Sequence, residues 1–129
     1  MDDSMSETQQ TITEAGALLQ SACHGASTKA GWWNGVDVHD KNVVPTKLCL
    51  IHSEISEAME GHRKNLMDSH LPHRSMIEVE LADAVIRIAD LAGALGLDLG
   101  AAIAEKMAYN DTRADHKPEA RAAINGKAY

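Results

Sequence analysis

Bulky core-forming side chains are scarce in this chain of 129 residues, and that scarcity limits the folds it can adopt. The chain has no phenylalanine and only two tryptophans and two tyrosines, and much of its apolar content is alanine. Aromatic and β-branched residues favour sheets, whereas Ala, Leu, Ile and Met pack closely between helices. We therefore expect an all-α single domain. Because such a chain has little bulk to bury by itself, we also expect a homo-oligomer.

Apolar residues recur with helical periodicity in four segments, which predict helices over residues of about 8–25, 45–64, 73–95 and 98–113. Pro45 suits the start of the second helix, Gly96 follows the third, and Asp98 can cap the fourth. The segment from Gly25 to Lys41 has the composition of a loop.

These elements predict a flexible N-terminus over residues 1–7, a compact four-helix unit over 8–117 and a C-terminal tail over 118–129. We expect the four-helix unit to assemble into a helical-bundle homo-oligomer.

Charge and patterning exclude several classes of protein. The net charge of −7, without a basic cluster, argues against binding to a nucleic-acid polymer. The N-terminus has neither the basic nor the apolar region of a secretion signal. The longest apolar stretch, over residues 81–99, is interrupted by four charged residues, so we expect no membrane span. We expect a cytoplasmic protein.

Two acidic pairs lie at helical spacing, Glu54 with Glu57 and Glu80 with Asp83. Residues three apart on a helix are neighbours on one face, and at about 100° per residue all four carboxylates fall on the apolar side of their helices. Two adjacent antiparallel helices can bring such pairs opposite one another. Like charges on a buried stripe need cations, and oxygen-only ligands select Mg²⁺ or Mn²⁺. A lone pair with this spacing is commonly a solvated helix face, but two pairs on neighbouring helices favour a site for two or more metal ions.

The fourth predicted helix has a complementary face. Lys106, Asn110 and Arg113 recur at i, i+4 and i+7, and two cations with an amide suit the oxygens of a phosphate chain. A cationic last turn that stabilises the helix dipole is the alternative interpretation. Lys47 is a further phosphate contact or an ion pair for Glu54, and Arg87 is expected to pair with Glu80 and Asp83.

Two tryptophans, Trp32 and Trp33, lie in the loop before the second helix, followed by Asn34. A tryptophan there can stack on a nucleobase while Asn34 reads its edge, or it can fill space between the first two helices. We expect one tryptophan in each role.

With these residues the chain resembles the MazG-like family of all-α nucleoside triphosphate pyrophosphatases. The matching segments are Lys47–Leu48, Ser53–Ala58, Glu80–Ala84, Lys106–Asn110 and Arg113. They fall within residues 45–117, and the double acidic motif with its trailing Lys and Asn is the specific part.

The resemblance implies Mg²⁺-dependent hydrolysis of a (deoxy)nucleoside triphosphate between the α and β phosphates. It also implies a four-helix unit that works as a homodimer or a homotetramer. Glu54, Glu57, Glu80 and Asp83 would hold the metal ions, and Glu54 or Glu57 would act as the general base. Lys106, Asn110 and Arg113 would hold the phosphate chain. A non-catalytic nucleotide or metal sensor and a purely structural oligomerisation module are the other two hypotheses.

Overall fold

The computed structural model describes residues 5–129, and its regular structure is helical. The four long helices are α1 (Glu7–Lys29), α2 (Val43–Lys64), α3 (Met76–Ala94) and α4 (Leu99–Thr112). A single 3-10 turn (Ala114–His116) and a short helix α5 (Pro118–Ala122) follow. Within residues 5–129 the structure has no β-strand, only an isolated bridge between Met67 and Ser75. The all-α prediction is confirmed.

The described chain divides into two compact units, one of residues 18–98 and one that combines the chain up to residue 17 with residues 99–129. The first unit holds the C-terminal part of α1 together with α2 and α3, and the second holds the N-terminal part of α1 together with α4 and the tail.

The first unit is built around an antiparallel hairpin of α2 and α3. Its interface is lined by small residues, with Ala58, Gly61 and Ala84 all buried. A Cβ atom added to Gly61 would lie 2.7 Å from Cβ of Met76, so only a glycine fits at that contact. The hairpin therefore depends on close backbone approach rather than on large interlocking side chains.

The turn between these helices is fixed by side chains that bind backbone groups. Asn65 ends α2 in the left-handed conformation, at φ 51°. Buried Asp68 then accepts hydrogen bonds from the backbone N–H groups of His70 (3.0 Å) and Leu71 (2.7 Å). Ser75 caps α3 by accepting one from the N–H group of Glu78 at 3.3 Å.

The second unit contains another close contact between helices. Gly16 of α1 and Gly100 of α4 are both buried, and a Cβ atom on either would overlap the backbone of the other helix. At the start of α1, Ser6 Oγ accepts from Gln9 N–H (3.1 Å) and Gln9 Oε1 accepts from Ser6 N–H (3.0 Å). This reciprocal pair is a capping box, which gives hydrogen-bond partners to two backbone N–H groups at the start of α1.

Several predicted boundaries differ from the structure. Gly25 lies inside α1, which continues to Lys29, because one glycine within a helix costs only about 1 kcal/mol and does not by itself end it. The third helix begins at Met76 rather than at residue 73, because the Asp68 and Ser75 side chains hold the intervening backbone in the turn. The predicted tail includes the short helix α5. The predicted flexible N-terminus falls partly on residues 1–4, which lie outside the described residues, while α1 starts at Glu7.

The buried core contains few large side chains. Among residues 5–129, the buried apolar residues of the two units together are five alanines and one leucine, namely Ala58, Ala84, Ala89, Leu91, Ala92 and Ala104. Larger side chains on the α2–α3 hairpin are exposed, including Met59 at 66% and Val85 at 48%. None of the helices within residues 5–129 combines the length and apolarity needed to cross a bilayer.

Candidate metal centre

Three carboxylates from the two helices of the hairpin meet at its centre. Glu54 and Glu57 of α2 and Glu80 of α3 each offer an oxygen atom, and these atoms all lie within 4.8 Å of one another. Antiparallel packing of α2 against α3 brings the two acidic motifs together, as the spacing predicts. We refer to Glu54, Glu57 and Glu80 as the acidic cluster.

The acidic cluster has a buried side and an exposed side. Glu54 and Glu80 are buried, with 7% and 8% of their surface exposed. Glu57 is exposed, so the prediction that all four carboxylates face the core is wrong for this residue. The reason is its offset of about 60° from Glu54 around the helix, which takes it to the edge of the face that α3 covers.

Asp83, the fourth predicted ligand, is half-buried and does not belong to the group of three oxygens within 4.8 Å. Burial raises its pKa above the ordinary value, and the charge of Glu54 adds to that rise. Asp83 is therefore an electrostatic neighbour of the acidic cluster.

Burial and crowding change the protonation of the acidic cluster itself. Burial, followed by the hydrogen bonds and charges of Glu54 and Glu57, raises the pKa of Glu80 to about 8. Burial also acts to raise the pKa of Glu54, but hydrogen bonds from Glu80 and Arg87 outweigh it and hold that pKa below its ordinary value. Without a cation, burial and the neighbouring Glu54 and Glu57 therefore favour the protonated form of Glu80.

One oxygen of Glu80 has no hydrogen-bond partner among residues 5–129. Oε2 of Glu80 is buried and unpaired, which is costly unless something else occupies the position beside it. Three carboxylates with one orphaned oxygen form a hard donor set, and such a set fits Mg²⁺ or Mn²⁺.

Arg87 of α3 reaches across the hairpin to the acidic cluster. Its Nε donates a hydrogen bond of 2.8 Å to Oε1 of Glu54. The prediction that Arg87 pairs with Glu80 and Asp83 is therefore wrong about the partner. Arg87 follows Asp83 by one helical turn on α3, but its ion pair crosses to α2, and nothing in the spacing along a single helix reveals a contact between two helices.

The predicted phosphate-binding residues Lys106, Asn110 and Arg113 do not all lie on one face of α4. Arg113 lies beyond the end of α4 with an extended backbone, and its guanidinium makes two hydrogen bonds to Asp115, of 3.1 and 2.8 Å. The predicted face on α4 thus ends at Asn110. This ion pair holds the pKa of Asp115 well below its usual range.

The rest of that predicted face is partly accessible. The ammonium group of Lys106 lies 4.6 Å from the centre of the Tyr109 ring. Asn110 lines a groove of about 450 Å³ together with His116 and Lys117, and its Oδ1 atom is buried without a partner.

Trp32 and Trp33 lie in the loop between α1 and α2, the tryptophan loop, and their side chains have different environments. Trp32 is 70% exposed, whereas Trp33 is half-buried and donates a hydrogen bond of 2.9 Å from Nε1 to Asp90. Lys47 lies over the Trp33 ring at 4.6 Å rather than pairing with Glu54. Asn34 is exposed.

Asp90 is a structural residue that the sequence patterns did not single out. Its Oδ1 atom accepts from Trp33 and also lies 2.9 Å from Nδ1 of His24 on α1. The Asp90 carboxylate on α3 thus contacts one side chain of α1 and one of the tryptophan loop. The only signal in the sequence that points to Asp90 is its position on α3, two helical turns after Asp83.

Comparisons of the chain with family models, curated proteins and solved structures give no match.

Proposed function

We propose that this protein is a metal-dependent nucleoside triphosphate pyrophosphohydrolase of the MazG-like type, which converts a (deoxy)nucleoside triphosphate to the monophosphate and pyrophosphate. The observation that carries the proposal is the meeting of Glu54, Glu57 and Glu80 oxygens within 4.8 Å across the α2–α3 hairpin. The orphaned Oε2 of Glu80 supports a cation at the same place.

The acidic cluster would hold one or more Mg²⁺ or Mn²⁺ ions, with Asp83 as a further ligand. Bound divalent cations would neutralise phosphate charge and polarise the α-phosphorus. Glu80 would bind as the carboxylate and release the proton that its burial otherwise favours.

In the proposed reaction, a water molecule attacks the α-phosphorus, the bond from that phosphorus to the α–β bridging oxygen breaks, and pyrophosphate leaves. A carboxylate takes the proton of the attacking water. Glu57 suits this role better than Glu54, because Glu57 is exposed while Glu54 is buried and already bound to Arg87. Glu54 would serve mainly as a ligand.

The contacts to the phosphates are assigned from the resemblance, whereas those to the nucleobase are assigned from the exposure of the side chains. Lys47, Lys106, Asn110 and Arg113 would hold the phosphates, although Arg113 would have to leave Asp115 to do so. Exposed Trp32, with Asn34, is the better candidate for stacking on a nucleobase, since Trp33 is bound to Asp90.

Substitution of Glu57 by glutamine tests the assignment. Glu57→Gln removes a proton acceptor at an exposed position, so we expect a normal melting temperature and a loss of turnover of about a hundredfold or more. Glu60→Gln is the matched control, because Glu60 lies one turn further along α2 and forms only surface pairs with Arg63 and Lys64. A fully active Glu57→Gln variant would refute the role.

A second copy of the chain is the partner we propose for the hairpin. Three exposed apolar residues on each helix form a stripe, Leu48, Ile55 and Met59 on α2 and Leu81, Val85 and Ile88 on α3, whereas exposed Ile86 lies on the opposite side of α3. Both stripes lie about 80–140° from Glu54 or Glu80 in the same rotational sense, and in antiparallel helices this places them on one side of the hairpin. We call these six residues the apolar face. A homodimer or homotetramer would bury it.

A purely structural module is the second candidate, and one observation favours it. The charge of Arg87 and the raised pKa of Glu80 already offset part of the charge of the acidic cluster without a cation. Such a module would show no cation-dependent change in melting temperature, whereas the proposed enzyme gains stability from Mg²⁺. A non-catalytic sensor would bind nucleotide without releasing pyrophosphate.

A further inference from the structure

Arg87 is the cation in direct contact with the acidic cluster. Among residues 5–129, no other lysine or arginine pairs with Glu54, Glu57 or Glu80. The neighbouring cations of the hairpin have partners elsewhere, with Lys64 on Glu60, Arg74 on Glu78 and Lys47 over Trp33.

The guanidinium of Arg87 uses only one of its three nitrogen atoms in this contact. Nε donates to Glu54, and neither Nη1 nor Nη2 has a hydrogen-bond partner within residues 5–129. The side chain is 42% exposed, so these two groups can be reached from solvent. A guanidinium is always protonated and can donate to two oxygens of a phosphate at once.

The position along α3 places these donors beside the proposed metal ligands. Arg87 follows Asp83 by one helical turn, about 6 Å along the helix axis. A phosphate chain that lies against the acidic cluster brings its own negative charge close to three carboxylates. A fixed positive charge one turn away offsets that repulsion.

We propose that Arg87 contacts the phosphate chain of the substrate through Nη1 and Nη2 while its Nε remains on Glu54. Such a role for Arg87 rests on the proposed function. It adds a phosphate-binding residue on α3 to the four proposed above, Lys47, Lys106, Asn110 and Arg113. The anchored geometry favours arginine over lysine, because an ammonium group cannot hold Glu54 and a phosphate in the same fixed arrangement.

Calorimetry separates the possible roles of Arg87. The two quantities to measure are the binding of Mg²⁺ alone and the binding of inorganic pyrophosphate in the presence of Mg²⁺. In Arg87→Gln we expect unchanged or tighter binding of Mg²⁺, because a competing positive charge is gone. We expect pyrophosphate affinity to fall by about ten- to a hundredfold, the effect of losing a charge-assisted hydrogen bond. Arg87→Lys should keep Mg²⁺ binding and lose a large part of the pyrophosphate affinity. Arg74→Gln, which breaks a surface pair with Glu78, is the matched control and should change neither.

Pyrophosphate affinity within twofold of the wild-type value in both Arg87 variants would overturn this inference alone. Equal losses of Mg²⁺ and pyrophosphate binding in both variants would also overturn it, because Arg87 would then act only by positioning Glu54. A wild-type protein that binds neither Mg²⁺ nor pyrophosphate would overturn the proposed function and this inference with it.

Discussion

Protonation of Glu80 is linked to folding because the residue has a different environment in each state. In the folded protein its pKa rises from the ordinary value of 4.5 to about 8, chiefly through burial and then through Glu54 and Glu57. The folded state therefore binds a proton more tightly than the unfolded chain, and stability is greatest below the unfolded pKa and is lost as pH rises through about 8.

We expect the melting temperature of the cation-free protein to fall as pH increases from about 5 to about 9, and we expect Mg²⁺ to offset part of that fall. Glu80→Gln keeps the size of the side chain but cannot ionise, so its melting temperature should depend less on pH and on Mg²⁺. Thermal melts across this pH range, with and without Mg²⁺, are the measurement. An identical pH dependence in wild type and variant would show that Glu80 is not the linked group.

The sequence predicts the residues of the acidic cluster better than it predicts their surroundings. Spacing along single helices identifies Glu54, Glu57 and Glu80 as candidate ligands, because helical periodicity determines which residues share a face. It does not reveal the pairing of Arg87 with Glu54, which depends on the register of α3 against α2. Nor does it predict that Glu57 is exposed, since that depends on how much of α2 the neighbouring helix covers.

At the scale of the helices, Gly61 sets how closely α2 approaches α3. An alanine there would place its Cβ 2.7 Å from both Cβ and Cγ of Met76, near the fixed base of that side chain. We expect Gly61→Ala to lower the free energy of unfolding by about 1–3 kcal/mol, as overpacking commonly does. Urea denaturation measures the change.

Gly25 provides the matched control, because it also lies within a helix but has no atom within 4 Å of an added Cβ. Gly25→Ala should raise the free energy of unfolding by about 0.5–1 kcal/mol through the lower entropy of its unfolded chain. Equal effects of the two substitutions would contradict the close contact at Gly61.

The helices themselves follow from periodicity, whereas their ends follow from local hydrogen bonds. The four long helices match the four predicted segments. The start of α3 differs from the predicted one because Asp68 binds backbone N–H groups in the turn. The pattern of apolar residues does not predict that interaction. Ser75 is not among the caps predicted from the sequence, although it precedes Glu78 by three residues, a spacing typical of helix N-termini.

For the whole molecule, the apolar face makes a prediction about assembly. A charge at Val85, in the middle of its stripe on α3, would have to be buried in the proposed oligomer. We expect light scattering to show a dimer or tetramer for the wild type and a shift towards the monomer for Val85→Lys. Leu71→Lys is the control, because Leu71 is about equally exposed but lies in the turn after α2. A monomeric wild type, or a Val85→Lys variant of unchanged mass, would contradict the assembly.

Release of pyrophosphate is the most direct test of the central claim. The protein would be incubated with a panel of ribonucleoside and deoxyribonucleoside triphosphates, common and modified, with and without Mg²⁺ or Mn²⁺. We predict cation-dependent release of pyrophosphate, with an equal amount of the monophosphate, from at least one nucleotide. Folded protein that releases no pyrophosphate from any of them in the presence of either cation would contradict the proposed activity and favour a binding or structural role.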